Sequence, residues 1–392
     1  MLHTSYIEIS KSALQNNLNY MRGYIAEMCS GPVPEYSMVL KANAYGHGIE
    51  EVLGIAEGAG VSHFSLFSVA EAIRAESVAN AGSELMIMGW VDEDYLEWVI
   101  EKEISYYVFS IERMLQSLEV ARRVGKKARI HIELETGMHR TGFQPDQLGQ
   151  IVQILGDNPG QFDVVGMCTH YAGAESLVNY DRVAGQIQTF NRLSSVLRNK
   201  GVQVDYRHTA CSAAVFNFPE SIMELVRVGI ANYGYWPSPE TRIRHLAGDD
   251  VVDEVQDDPL QRVLSWKSVI LSINHVDEGE YISYGQSYLT NRKSRIATVP
   301  VGYGYGYNRT LSNNGHVLVN GYRVPVIGTV NMNMLVIDVT DADGVEVGDQ
   351  VVLIGRQGDL TISVSSFVEM NNSMNYEMLT RLPDHIPRVI VP

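Results

Sequence analysis

The chain has 392 residues, 45% of them apolar and 19% charged, which suits a globular protein of two domains and excludes a disordered or fibrous one. No run of about 18 apolar residues occurs, so no membrane-spanning helix is expected, and a formal net charge of −16 argues against nucleic acid as a partner. Cys29, Cys168 and Cys211 are odd in number and lack CxxC spacing, so neither a disulfide framework nor a metal site is expected, and a reducing cytoplasm suits them.

The chain starts MLHTSYIEISKSALQNN, without the basic segment and apolar stretch of a signal peptide. Its first strand-like run, TSYIEIS, stands apart and is free to pair with strands later in the sequence. Eight further apolar runs follow: YSMVLKA, HFSLFSV, ELMIMGW, SYYVFS, RIHIELET, FDVVGMCTH, YRHTACSA and LVRVGIANYG. Segments of helical periodicity separate them, among them Ile49–Ala59 and Ala70–Ala81. Eight strand–helix units over roughly 230 residues match a (β/α)8 barrel. An open doubly wound sheet shares the alternation, but usually with fewer strands, and no GxGxxG follows the first strand here. The barrel is assigned to residues 1–245.

Residues 246–262 are an acidic loop or linker, with Asp249, Asp250, Asp253, Glu254, Asp257 and Asp258 among few large apolar residues. From Val263 the helical pattern nearly vanishes. VLSWKSVILSI, RIATVPVGYG, HVLVNG, VPVIGTV, LVIDVT, QVVLIGRQG and RVIVP read as strands joined by Gly, Asn and Asp turns, so residues 263–392 form a mainly β domain.

In a barrel the functional groups stand at the C-terminal ends of the strands. The first of the eight runs ends in VLKANAYGHG, which places Lys41 beside apolar surroundings. A desolvated lysine loses its proton more readily and forms Schiff bases, although a lone lysine there also fits a structural role with its ammonium reaching water. Arg140 follows the fifth run, His170 the sixth, and His208 and Ser212 the seventh, while Arg227, Gly229 and Ile230 lie in the eighth. A single histidine is usually a satisfied core residue. Several polar groups at successive strand ends point instead to one binding mouth.

KANAYGHG is similar to the cofactor-lysine motif of the alanine racemase family. TGMHRTGF, THYA, CSAA, VRVGIANYG, SYGQSY, PVGYGYG and MNYE follow in that family's order, so the resemblance covers nearly the whole chain. It implies a barrel followed by a β domain, with pyridoxal 5'-phosphate as cofactor and Lys41 as its carrier. By the same resemblance Tyr45, Ser212, Gly229, Ile230 and Tyr376 surround the phosphate. Arg227 faces the pyridine nitrogen, His170 packs by the ring, and Arg140 lies near the phenolic oxygen and the substrate carboxylate. Lys41 and Tyr284 are the implied pair of bases, with Tyr284 contributed by the second subunit of a homodimer, and Met332 is an implied backbone contact to the substrate carboxylate. A guanidinium only donates and stays protonated, so Arg227 favours an unprotonated pyridine, which withdraws electrons less and limits transamination.

Three positions depart from the family's common pattern. Glu133 stands where a carbamylated lysine is frequent, Asn333 where Asp is frequent, and Cys211 where Asn is frequent. The expected activity is interconversion of L- and D-alanine by a cytoplasmic enzyme acting on a free amino acid. A racemase for serine or for many amino acids remains an alternative. An amino-acid decarboxylase of the same plan typically sets an acidic residue at the pyridine nitrogen and a cysteine in the β domain, whereas here Arg227 takes the first place and no cysteine follows Cys211. A non-catalytic pyridoxal-phosphate carrier resembles the barrel alone and lacks a domain bearing Tyr284.

Overall fold

Eight parallel strands form one sheet, β2 to β8 each pairing with the next: β2 (Glu35–Val39), β3 (His63–Leu66), β4 (Glu84–Ile87), β5 (Ser105–Val108), β6 (Ala128–Glu133), β7 (Phe162–Cys168), β8 (Tyr206–His208) and β9 (Leu225–Val228). β9 pairs back onto β2, with Glu35 opposite Leu225 and Met38 opposite Val228. The ring closes where Arg227 N–H donates to Ala210 O at 3.0 Å and Cys211 bridges Arg227 in parallel. This is the (β/α)8 barrel. His63–Leu66 and Leu225–Val228 are covered on both faces, buried throughout and show no alternation, and their polar side chains His63, Ser65 and Arg227 are hydrogen-bonded within the barrel. Helices between the strands start at polar caps: Ser68 caps Val69–Glu76, Asp92 caps Glu93–Glu101, and Ser110 caps Ile111–Val124. The run YRHTACSA ends as strand at His208 and turns helical at Ser212, and LVRVGIANYG passes from strand into a 3-10 turn at Ile230.

This computed structural model describes residues 4–29, 31–247, 257–368 and 375–392. Of the acidic run, Asp249, Asp250, Asp253 and Glu254 lie outside the described residues, while Asp258 accepts from Trp236 Nε1 at 3.0 Å and from Arg242 Nε at 3.1 Å.

The chain packs as two units: the barrel unit holds Ala13–Ala42 and Leu53–Gln261, and the other holds Met1–Ser12, Asn43–Val52 and Arg262–Pro392. The second unit is built on β1 (Ser5–Ser10), β10 (Leu264–Val269), β11 (Ser272–Val276), β12 (Ser294–Val299), β13 (His316–Val319), β14 (Tyr322–Ile327), β15 (Leu335–Asp338), β16 (Gln350–Gln357), β17 (Leu360–Ile362) and β18 (Arg388–Val391). The strand order is β11-β12-β15-β14-β13-β16-β10-β1-β18, with β17 on β16. β1 lies antiparallel to β10, Ile7 opposite Trp266, and parallel to β18. Asn320 and Gly321, both with positive φ, make the two-residue turn that joins β13 to β14. Trp266, Val317, Val319, Val352 and Leu353 are fully buried in this unit.

Candidate active site

The barrel unit carries Lys41, Arg140, His170, Ser212, Arg227, Gly229 and Ile230. Lys41 comes two residues after β2, and Arg140 lies in the loop after β6. His170 and Ser212 follow β7 and β8, Arg227 is in β9, and Gly229 and Ile230 follow it. All therefore gather at the C-terminal ends of strands.

Lys41 opens a turn, Lys41–Tyr45, in which Ala42, Asn43, Ala44 and Tyr45 all have φ of 53–54°. Left-handed backbone costs about 1–2 kcal/mol per residue when a Cβ is present, so local contacts must hold it. The Glu71 carboxylate accepts Ala42 N–H at 2.7 Å. Gly48 N–H donates to Asn43 O at 3.0 Å, and Asn43 Oδ1 accepts Ile49 N–H at 3.1 Å. His47 Nδ1 donates to Tyr45 O at 2.9 Å. Lys41 is half-buried, and its ammonium is held below the ordinary lysine range by burial; Cys211 and Glu71 oppose this while Arg140 and Arg227 add to it.

His170 is pushed down to about 3 by burial and by Arg227, Lys41 and Arg140, so the ring is neutral across the physiological range. Those three cations act on one imidazole, yet among the described residues no carboxylate forms an ion pair with Lys41, Arg140 or Arg227. In a chain of net charge −16, such a group of unpaired cations is a receptor for anions.

Arg227 is buried and thoroughly held. One terminal nitrogen donates to His208 Nδ1 at 2.5 Å and His208 O at 2.6 Å, and the other to Thr169 O at 2.9 Å and Thr209 O at 3.3 Å. Beside it, Gly229 N–H donates to Ser212 Oγ at 2.9 Å, which leaves the Ser212 hydroxyl proton free to donate outward. Ser212 opens the helix Ser212–Asn217, and Ile230 opens the 3-10 turn Ile230–Tyr233. The first N–H groups of such turns have no intrahelical acceptor. The donor set fits a phosphate, and an amine of lowered basicity beside it fits an aldehyde, so these residues fit pyridoxal phosphate.

Glu133 is buried, and burial raises its carboxyl above the usual range; the neighbouring Thr141 hydroxyl and the charges of Arg140 and Arg227 oppose the rise. The loop that carries Arg140 is organised by Glu135, whose carboxylate accepts Gly137 N–H, and His139 N–H at 2.9 Å.

Tyr45, Tyr284, Met332 and Tyr376 belong to the second unit. The rings of Tyr45 and Tyr376 lie 6.0 Å apart at 54°. Tyr284 and Met332 are on loops tied together by Ser283 Oγ, which donates to Thr329 O at 2.6 Å and to Asn331 Oδ1 at 3.0 Å. Tyr284 is 72% exposed and Met332 58%. Sequence reasoning overlooked Glu71 as a clamp on the lysine turn, and His131, whose Nδ1 meets His208 Nε2 at 2.8 Å. The signal for His131 was present: Arg129, His131, Glu133 and Glu135 are polar at every second position of an otherwise apolar run.

The family description for the alanine racemase N-terminal domain matches residues 9–237, and that for the alanine racemase C-terminal domain matches residues 263–390. Alanine racemase of Leptospira interrogans is 34% identical over 394 residues, covering 99% of this chain and 96% of the relative. That of Clostridium perfringens is 32% identical over 391 residues, covering 98% and 94%. Among solved structures, alanine racemase from Bacillus anthracis with bound L-Ala-P superposes with a TM-score of 0.88 at 29% identity, covering 100% of this chain and 96% of that one. Both domains and the full length are accounted for, and the chain belongs to the alanine racemase family.

Proposed function

We propose that this protein is a pyridoxal-phosphate-dependent racemase that interconverts L- and D-alanine, with Lys41 and Tyr284 as its two proton-transfer groups. The observation that carries the proposal is the gathering of Lys41, Arg140 and Arg227 about a neutral His170, with no ion-paired carboxylate among the described residues. When bound, the cofactor supplies the electron sink that makes the substrate Cα–H acidic.

In this reading the Lys41 amine carries the cofactor, and its lowered basicity leaves it able to take a proton near neutral pH. Ser212 and the N–H of Ile230 bind the phosphate, with Gly229 letting the backbone approach it closely, together with the hydroxyls of Tyr45 and Tyr376. Arg227 faces the ring nitrogen with a proton it does not give up, His170 lies against the ring, and Arg140 orients the phenolic oxygen and the substrate carboxylate. Enantiomers have equal free energy, so the enzyme must take a proton from either face of Cα and return it to the other. Two bases on opposite faces do this without turning the substrate over.

Tyr284 and Met332 are strongly exposed in the single chain, which supports a homodimer whose sites pair Lys41 with Tyr284 of the partner subunit, and with a backbone contact from Met332 of the partner subunit. Residues 1–245 then supply most of the groups that bind the cofactor, and residues 263–392 supply Tyr376 and the second base. The three cysteines are free thiols, which fits a cytoplasmic enzyme. No helix among the described residues is long and apolar enough to cross a membrane. The test is a chirally resolved assay of the purified protein, loaded with pyridoxal phosphate, against each L-amino acid, with carbon dioxide also measured. L-Alanine is expected to approach a 1:1 mixture with D-alanine and release no carbon dioxide. Preferred turnover of another amino acid, or decarboxylation, would overturn the proposal.

A further inference from the structure

β6 and β7 pair in register up to Ile130 opposite Val164, and then shift so that His131 faces Gly166. Val165 is the extra residue of a bulge. The shift brings a residue without a side chain beside His131, whose ring reaches past β7 to His208 on β8. A Cβ at position 166 would overlap His131 Nδ1 and come within 3.0 Å of His208 Nε2. Gly166 is therefore required by the His131–His208 contact.

The direction of the hydrogen bonds follows from chemistry. A guanidinium has donors only, so His208 Nδ1, 2.5 Å from Arg227, must accept. A neutral His208 then carries its proton on Nε2 and donates it to His131 Nδ1 at 2.8 Å. His131 must in turn carry its own proton on Nε2. The reverse polarity between the two rings would leave His208 without any proton. Arg227, His208 and His131 thus form a one-way chain, and both rings are fully buried. We propose that His131, seated over Gly166, is a positioning residue for Arg227: it fixes the tautomer and rotamer of His208, and through it the direction in which the guanidinium points. His131 touches neither substrate nor cofactor in this scheme, and the inference rests on the role given to Arg227 above.

The test uses full-length protein with 15N-labelled histidine, first without cofactor. Wild-type His208 and His131 should each show a protonated Nε2 and an unprotonated Nδ1. His131→Asn keeps an acceptor oxygen at the Nδ1 position, whereas His131→Leu removes it, and Gly166→Ala wedges the two rings apart. His131→Leu and Gly166→Ala should lose the single His208 tautomer and, once loaded with pyridoxal phosphate, lose about tenfold in kcat with KM little changed. The same two should form more transamination product per turnover. His131→Asn should restore the tautomer and bring kcat within about twofold of wild type. A wild-type His208 protonated on Nδ1 overturns the inference. So does His131→Leu with unchanged kcat, or His131→Asn as impaired as His131→Leu. If His131→Leu does not fold, the wild-type tautomer and His131→Asn decide the matter. If wild-type protein racemises no amino acid, the proposed function fails while the apo-protein spectra still judge the histidine chain.

Discussion

One carboxylate oxygen of Glu71 accepts the backbone N–H of Ala42 at 2.7 Å, while the other accepts Phe67 N–H at 2.7 Å and Ser68 N–H at 3.3 Å. Ser68 Oγ in turn accepts Glu71 N–H at 3.3 Å, which makes the capping box of helix Val69–Glu76. A single side chain therefore starts that helix and pins the left-handed turn that begins at Lys41. Glu71→Ala should cost about 1–3 kcal/mol of stability in denaturant unfolding, the range for losing hydrogen bonds to a charged group. It should also weaken pyridoxal-phosphate binding by about tenfold, because Lys41 loses its fixed direction. Glu71→Gln keeps one acceptor and should fall between. Unchanged binding in a destabilised Glu71→Ala would confine Glu71 to capping.

The parts of the fold that follow from burial were legible in the chain. A strand covered on both sides is mostly apolar, so a run such as LVRV announced itself, and so did the polar residues that interrupt the pattern at strand ends. The turn at Lys41 was not legible, because Ala, Asn, Ala and Tyr have no shared preference for positive φ, and contacts to Glu71 and within Asn43–Ile49 impose it. Nor was the link between Arg227 and His208, residues whose side chains meet only because β8 lies beside β9 at the closing seam of the barrel. The bulge at Val165 was hidden for another reason: VVG reads as uninterrupted strand until its partner's register is known. At Glu133, strand alternation indicated the facing, but not that the loop returns to it, where Phe143 N–H donates to Glu133 O at 2.8 Å.

Glu133→Gln separates charge from shape at that position. The amide has the shape of the carboxyl it replaces, so stability should change by no more than about 1 kcal/mol. The negative charge acting on Arg140 and Arg227 is lost, and kcat/KM for alanine should fall by about tenfold as Arg140 is held less firmly. Removing carbon dioxide should leave the wild-type enzyme unaffected, since the carboxylate is part of the side chain. Full activity in a folded Glu133→Gln enzyme would reduce Glu133 to a core polar residue.

The buried histidines set the acid limit of stability. His47 and His63 are pushed down to about 4 and His170 to about 3, in each case first by burial. His131 and His208 are also held well below the ordinary value by burial, then by neighbouring histidines and arginines. An unfolded chain protonates these residues near pH 6.5, roughly the free histidine value. Between that pH and about 4 the unfolded state binds more protons than the folded one, so stability falls as pH is lowered through this window. Each such histidine steepens the slope by up to about 1.4 kcal/mol per pH unit. Unfolding free energies measured from pH 7.5 to 4.5 should show this decline, and His131→Asn should flatten it by about one proton. A pH-independent free energy over that window would mean that these rings are protonated in the folded protein.

Two-base transfer between Lys41 and Tyr284 is tested most directly by the stereochemistry of α-proton exchange. Tyr284→Phe, loaded with pyridoxal phosphate, would be incubated in D2O with pure L-alanine and, separately, with pure D-alanine. With one base left, one enantiomer should gain deuterium at Cα with its configuration retained. The other enantiomer should gain almost none, and racemisation should fall by at least about a hundredfold, the lower range for a lost general acid–base group. Continued racemisation at near the wild-type rate, or equal exchange into both enantiomers, would contradict the assignment of Tyr284 as the second base.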